Sequence, residues 1–444
     1  MITTQHQAKS LDAFAQFGLP DDHSPAWLKS KREAALTHFQ EIGLPTSRSE
    51  EWRFTNINPI RQRQFQIPTL PVDPTPSDIQ RFAIEGLKGP RLVFANGRYC
   101  PALSDLADVA GDIHIGSLAA AYRSHGHLLE EYLGKQADIR DEPFTALNTA
   151  LATDGTFIHV RRGCELEHPI HLLYVTTANR EPVLTNPRNL VITEAGSSVT
   201  VVEDYVTLAN DVYLTNAVTE IVVGQGARAS HYLLERESER AYRIASLHVR
   251  QLRDSRFVSH SILLGGAIVR NHICPVLDGE GCDSLLNGLY VLGGEQVADN
   301  HMRVVHAAAH GDSRQIFKGI MKDRSHGVFR GRIVVRPGAQ KTDAKQSNQN
   351  LLLSNDATAN TDPQLEIYAD DVKCTHGATI GQIDKDQVFY LRSRGITEKM
   401  ARAMIVYAFA SDSIERMELE PIRRYLRSAV LSHLPEEAVL AQSL

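Results

Sequence analysis

Cys374 and His376 stand two residues apart in the run Lys-Cys-Thr-His-Gly. On an extended chain, side chains at i and i+2 leave the same face of a sheet, so this thiol and imidazole lie side by side. Thiolate and imidazole are donors that iron and zinc prefer, and the imidazole could also activate the thiol. Two donors cannot close a tetrahedral site, so a metal held here needs further ligands from elsewhere in the chain or from a partner. The competing reading is a packed cysteine beside a hydrogen-bonded histidine.

Two other clusters carry the right residue types. His301, His306 and His310 lie in HMRVVHAAAHGDSRQ, with Asp312, Ser313 and Gln315 close behind. Their spacing fits neither one strand face nor one helix face throughout, and HExxH is absent, so turn and core hydrogen bonding is their expected use. Arg270-Asn-His-Ile-Cys274 precedes Cys282 by eight residues, with His272 nearby, but a second cysteine pair at zinc-ribbon spacing is missing. GxxxxGK[ST] and GxSxG are both absent, so neither a P-loop nor a nucleophile elbow is expected in this chain. The five cysteines include no CxxC and make an odd total, as expected of reduced thiols, four of them small core residues.

The elements that must position these residues follow from composition and pattern. At 444 residues the chain has room for two or three structural units and a sizeable core. Hydrophobic residues at 42% and charged residues at 23% describe a globular composition. The net charge of −6 and the lack of a dense Lys/Arg stripe argue against nucleic acid as the main partner. With no signal-like start and no run of about 18 apolar residues, the expectation is a cytoplasmic protein without a membrane partner.

Ser24-Pro25 reads as the start of an amphipathic helix that Gly43 closes. Glu50, Glu51, Trp52 and Arg53 follow in a loop whose Trp52 is expected to fill a core gap. Prolines at 68, 71, 74 and 76 predict a linker without helix or central strand between Pro68 and Asp78. A strand from Arg91 ends in the Asn96-Gly97 turn signal, and Leu118 to Tyr132 is helical with Gly126 as an interruption. From about residue 150 the texture becomes short runs rich in β-branched residues, such as Thr156–Val160, Asn189–Thr193 and Arg332–Val335, with no convincing helix for over 200 residues. The Gly-Gly pairs at 265–266 and 293–294 read as turns within this all-β block. A sandwich, a propeller or a solenoid could hold such strands; runs apolar on both flanks and the lack of blade-like repeats favour a parallel β-helix of about ten coils. Thr397 then caps a helix with Met400, Ala403, Met404, Tyr407 and Ala408 on one face, and Pro421 opens a second. These two helices are expected to cover the terminal coil. The division is thus a mainly helical region 1–145, a β-helix core 146–390 and a helical region 391–444.

The chain resembles the SufB/SufD family of iron–sulfur cluster assembly proteins, most closely its SufD branch. The residues that carry the resemblance are Gly43-Leu-Pro with Glu50-Glu-Trp-Arg-Phe-Thr, Asp312-Ser-Arg-Gln, Lys318-Gly, Ala339-Gln-Lys-Thr-Asp-Ala-Lys-Gln, Asn350-Leu-Leu-Leu-Ser, the run from Pro363 through Cys374-Thr-His-Gly-Ala-Thr, and Phe389-Tyr-Leu-Arg-Ser-Arg-Gly-Ile. The resemblance implies a mainly β fold, a right-handed parallel β-helix flanked by helical N- and C-terminal regions. It implies a non-catalytic scaffold subunit that pairs with a SufB-like subunit along the β-helices and binds a SufC-like ATPase through the helices after Thr397. His376 is then a ligand for a nascent iron–sulfur cluster or iron at the SufB–SufD interface, with Cys374 as its companion and no cofactor firmly bound in the isolated chain. Ala357 and Gly377 stand where SufB-type chains carry a reactive cysteine and a glutamate, which leaves that half of the site to the partner. SufC dimerisation, driven by ATP, would shift the interface and expose its buried ligands. The isolated chain is expected to be able to form a homodimer through the same surface. Two other readings stay open: a purely structural SufC-docking subunit, and a β-helix enzyme acting on polysaccharide, for which 7% aromatics is poor support.

Overall fold

In the computed structural model the structure describes residues 14, 17–20, 24–68, 74–106, 111–177 and 181–432. The N-terminal region holds α1 (Ala26–Ile42), α2 (Asn58–Arg61), α3 (Pro76–Gln80), β1 (Arg91–Ala95), β2 (Arg98–Tyr99), β3 (Ile113–Ser117), α4 (Leu118–Ser124), α5 (Gly126–Tyr132) and α6 (Pro143–Leu151). α1 starts one residue beyond the expected position, with Pro25 as its extended N-cap, and ends at Gly43, whose φ of 65° suits a residue without Cβ. Asn96 and Gly97, at φ 46° and 80°, form the tight turn between β1 and β2. The expected break at Gly126 separates α4 from α5.

One local expectation fails. The proline-rich stretch was read as free of helix up to Asp78, yet α3 begins at Pro76. Thr75 and Asp78 form a reciprocal capping box, and proline at the first helical position lacks only an N–H that would have had no partner. Residues 69–73 of the expected linker lie outside the described residues.

The β block is a parallel solenoid of about 8 turns rather than ten. It comprises β4 (Thr156–Val160), β5 (Ile170–Thr176), β6 (Val183–Thr185), β7 (Arg188–Thr193), β8 (Ser198–Thr207), β9 (Tyr213–Val223), β10 (Arg228–Arg236), β11 (Tyr242–Gln251), β12 (Arg256–Leu263), β13 (Ile268–Leu277), β14 (Asp283–Leu292), β15 (Val297–His306), β16 (Asp312–Met321), β17 (His326–Val335), β18 (Asp343–Leu352), β19 (Thr358–Ile367) and β20 (Lys373–Gln382). From β8 onward, successive strands fall alternately into two sheets, the even-numbered ones ending at β20 and the odd-numbered ones at β19. The shortfall in turns follows from strand length: most strands run 10 residues, so each coil consumes more chain than the short apolar runs suggested. Gly266 at φ 72° and Gly294 at φ 55° make the expected turns.

Alternate side chains fill the space between the sheets, among them Val269, Ile273, Leu286, Tyr290, Phe317 and Phe329. The N-terminal region packs on the outer face of the odd-numbered sheet, where Trp52, Phe144 and Leu147 cluster with Ile244 and Ile268.

The C-terminal helices α7 (Lys385–Ser393), α8 (Glu398–Ile414) and α9 (Glu420–Ser432) correct another expectation. Thr397 does cap α8, accepting a hydrogen bond from the Met400 N–H at 3.3 Å. Instead of covering the terminal coil, however, α8 and α9 lie along the flank of the even-numbered sheet. There Val406, Ala410, Ile422 and Leu426 meet Leu234, Ile262, Leu289 and Ile320. The outward positions of those strands are apolar, whereas the terminal coil offers mostly polar ones, so burial drives the helices to the flank. The buried face of α8 shifts accordingly to Ala401, Ala403, Val406 and Ala410, leaving Met404 and Ala408 exposed.

Candidate functional site

Among the described residues nothing covers the terminal coil. β20 and β19 are the outermost strands of their sheets, and nearly every residue of β20 is exposed. Cys374 and His376 lie in register with Ala344 and Gln346 of β18, both buried and facing the solenoid interior. The motif therefore extends the interior face into the open end. His376 is exposed, its side chain without a hydrogen bond or ion pair to another described residue. Cys374 packs against the buried cluster of Ile333, Val335, Ala339, Ala344 and Ala369, and this burial pushes its thiol above the usual cysteine value, so it is a neutral thiol at pH 7.

Beneath the motif the interior turns polar. Gln346 donates through Nε2 to Gln315 Oε1 at 2.8 Å, while Gln346 Oε1 and Gln315 Nε2 are buried without partners. Gly331 makes room for this amide, since a Cβ there would stand 2.0 Å from Gln346 Nε2. Alongside, Tyr290 donates to Asn350 at 2.5 Å, and Asn350 donates to Asn348 at 2.6 Å. The sequence reading missed this amide column because Asn/Gln clusters look like turns. The available signal was Gln315 and Gln346, one coil apart at a separation of 31 residues. Ala357, by contrast, is a buried core residue just before β19, and Gly377 is exposed on β20 with open space where a Cβ would stand.

The loop around Trp52 works as a clamp on the odd-numbered sheet. Trp52 is 5% exposed, with its ring 5.5 Å from Phe144 and the Arg270 guanidinium 4.0 Å over its centroid. Glu50 pairs with Arg330 at 2.6 Å, Glu51 with His301 at 2.7 Å, and Thr55 donates to Asp299 at 2.6 Å. The hydrogen bond to His301, with Arg330 and Arg332 nearby, holds the Glu51 carboxyl down at about 2 against its burial. His301 itself stays neutral: burial and the Arg270 charge lower it to about 4. Its tautomer follows from Arg270, which has only donors, so Nδ1 accepts from Arg270 and Nε2–H donates to Glu51.

The other histidines of the sequence clusters separate. His306 points inward to Ser313 Oγ at 2.8 Å, and burial lowers it to about 4. His310 sits in a turn at φ 60° and is exposed. Their expected use in core and turn hydrogen bonding holds. Cys282 is buried inside the solenoid, its Sγ 3.1 Å from the Leu252 and Gly279 carbonyls, while Cys274 lies on the outer face of β13, so the two cysteines do not converge. Among the described residues, no group of three or more His, Cys, Asp or Glu is arranged to hold a metal ion.

Two family profiles match the chain: "SUF system FeS cluster assembly, SufBD core domain" over residues 174–409 and "SufBD protein N-terminal region" over residues 6–172. The chain belongs to the SufBD family. It is similar to an "Iron-sulfur cluster assembly SufBD family protein" of Synechocystis, 33% identical over 95% of this chain and 94% of that one. It is also similar to the "Iron-sulfur cluster assembly protein SufD" of Escherichia coli, 34% identical over 90% and 92% of the two chains. The SufD of Bacillus subtilis is 26% identical over 91% and 94%.

The remaining SufBD motif residues acquire places. Lys318 pairs with Asp412 at 3.0 Å and lies 4.6 Å over the Phe409 ring, tying α8 to β16. Arg53 reaches Asp362 of β19 at 2.9 Å, linking the clamp to the terminal coil. Phe389 and Tyr390 of α7 are 71% and 57% exposed, the two most exposed aromatic rings near the open end apart from Tyr368 at 62%. Among the described residues no helix is long and apolar enough to cross a membrane.

Proposed function

We propose that this chain is a non-catalytic scaffold subunit of a SufBCD-type iron–sulfur cluster assembly complex, pairing with a SufB-like subunit at its open terminal coil. The observation that carries this is the uncovered end itself. Two edge strands present unpaired backbone groups together with exposed Ile367, Tyr368 and Ile380, a surface that another strand-bearing chain would complete. His376 then supplies one donor to a nascent cluster, the cargo of the complex, and the partner supplies the rest. Cys374 can join only after losing its proton, because its packed thiol is neutral.

In this reading the functional units are 1–145, 146–390 and 391–444, and a SufC-like ATPase docks on the outward side of the last, near Phe389, Tyr390 and Met404. ATP hydrolysis belongs to that partner, the assembly is cytoplasmic, and the isolated chain pairs with a second copy through the same end. Co-purification with a SufB-like subunit tests the central contact. Ile367→Asp with Ile380→Asp should abolish the pairing while leaving the fold intact, since both side chains are exposed. Undiminished pairing would move the interface elsewhere.

A further inference from the structure

The outer face of the odd-numbered sheet carries a second thiol–imidazole pair, on β13, with contacts that the pair on β20 lacks. His272 Nε2 is 3.0 Å from Cys274 Sγ, and His272 Nδ1 is 2.8 Å from Glu142 Oε1, without ideal hydrogen-bond alignment. Glu142 comes from a different element, the residue preceding α6, so the three groups are assembled by docking of the N-terminal region. His272 is buried, Cys274 half-buried, and the Glu142 side chain 28% exposed. Cys274 is therefore the more open member of the pair.

The charges around the ring are defined. Burial disfavours a charged His272, but Cys274 and Glu142 beside it outweigh that and hold it well above the usual histidine value. The neighbouring rings oppose it less than their number suggests: His248 and His301 are each lowered to about 4 by burial and are neutral. Arg270 is ion-paired with Asp299, and His301 is occupied by Glu51. Glu142 is pushed up by burial yet drawn down to about 2 by His272, Arg270 and His248. His272 thus has both ring nitrogens directed at negative groups.

This arrangement decides the chemistry. An imidazolium whose two N–H groups both face anions cannot accept a proton, so it is not a general base. What it can do is stabilise negative charge as it develops on the sulfur 3.0 Å away, since a cation beside a thiol favours its nucleophilic form. Two features open the site to an incoming group. Pro275 has no N–H, and the register between β13 and β15 skips Cys274 and Pro275. His248, in register with Cys274 on β11, has a buried Nε2 with no partner. Arg303, two residues past His301 on the same face of β15, is exposed and favours an anionic reactant.

We propose that Cys274 is a reactive thiol that exchanges with low-mass disulfides, His272 being its partner 3.0 Å away and Glu142 the positioning residue that holds His272. The Cys274 sulfur attacks one sulfur of the disulfide, the new S–S bond forms as the old one breaks, and the second half departs as a thiolate that solvent protonates. No oxidant beyond the disulfide is consumed, and excess low-mass thiol reverses the step. The inference does not depend on the assembly role proposed above, because the site lies on the sheet flank rather than at the open end.

The test uses the reduced full chain and glutathione disulfide, with adducts at each cysteine followed by mass spectrometry between pH 6.5 and 8. An ordinary thiol with a pKa near 8.5 slows about 25-fold over that range as its thiolate fraction falls. Cys274 should slow less steeply than that and outpace Cys164, the other half-buried thiol of the β block away from the open end, at pH 6.5. His272→Gln should restore the steep profile, and Glu142→Gln should shift it part of the way with the melting temperature unchanged. A wild-type profile as steep as an ordinary thiol's, or one that His272→Gln leaves unaltered, overturns the proposal. The wild-type profile alone decides the matter if His272→Gln fails to fold.

Discussion

Replacing Trp52 with alanine should loosen the N-terminal region from the solenoid before the solenoid itself unfolds. A tryptophan buries about 150–250 Å², worth about 4–6 kcal/mol at 25 cal/mol per Å², and the alanine retains part of that. The 5% exposure of Trp52 and its contact with Phe144 place it in the fully buried class, for which truncation costs about 3–5 kcal/mol. Loss of the Arg270 stack adds about 1 kcal/mol. Arg270 keeps its ion pair with Asp299, so no buried charge is orphaned and the total is about 4–6 kcal/mol. Hydrogen exchange read by mass spectrometry should show α1 and α6 losing protection while β11 to β17 retain theirs, with an added early step in urea unfolding. A single transition within about 1 kcal/mol of wild type would refute the idea that this residue anchors the clamp.

Acid should release the same clamp. Glu51 is depressed to about 2, so its stabilisation is complete above its unfolded value near 4.5 and is lost as pH falls from there to about 2. His301, depressed to about 4, adds loss in the same direction between about 6.5 and 4, because the unfolded histidine binds the proton first. With 40% of the Glu51 side chain exposed, solvent screening reduces its share to about 1–2 kcal/mol, and Glu51→Gln should flatten the acid limb of an exchange profile for residues 26–42. An unchanged acid limb would remove Glu51 from the clamp. Gly331→Ala should cost about 1–3 kcal/mol by displacing the Gln346 amide, measured by urea denaturation; a neutral result would mean that the amide column has room to shift.

Much of the architecture was legible because short β-branched runs bounded by turn residues, the Asn96-Gly97 turn and the Thr397 cap are local signals. Strand ends were less so. Ser347–Asn348 and Thr358–Thr361 are rich in the residue types common in turns, yet they form strands, since the neighbouring coil supplies partners for polar side chains as well as backbone. The placement of α8 and α9 was illegible for a similar reason: an amphipathic face specifies that something apolar covers it, not which surface does so. At the site, the Cys374–His376 pairing on one face followed from spacing alone. His272 and Cys274 have the same spacing, but their third member, Glu142, is 130 residues away in sequence and only the folded chain brings it to His272.

The most direct test of the account is the yield of iron–sulfur cluster on the reconstituted complex of this chain with SufB-like and SufC-like partners, compared between wild type and His376→Ala. The His376 side chain is exposed and makes no hydrogen bond or ion pair with another described residue, so its removal should leave folding and subunit pairing unchanged. The account predicts an intact complex with cluster yield reduced at least about tenfold, a loss of the size that removing a metal ligand brings. An intact complex that assembles cluster at the wild-type level would contradict it.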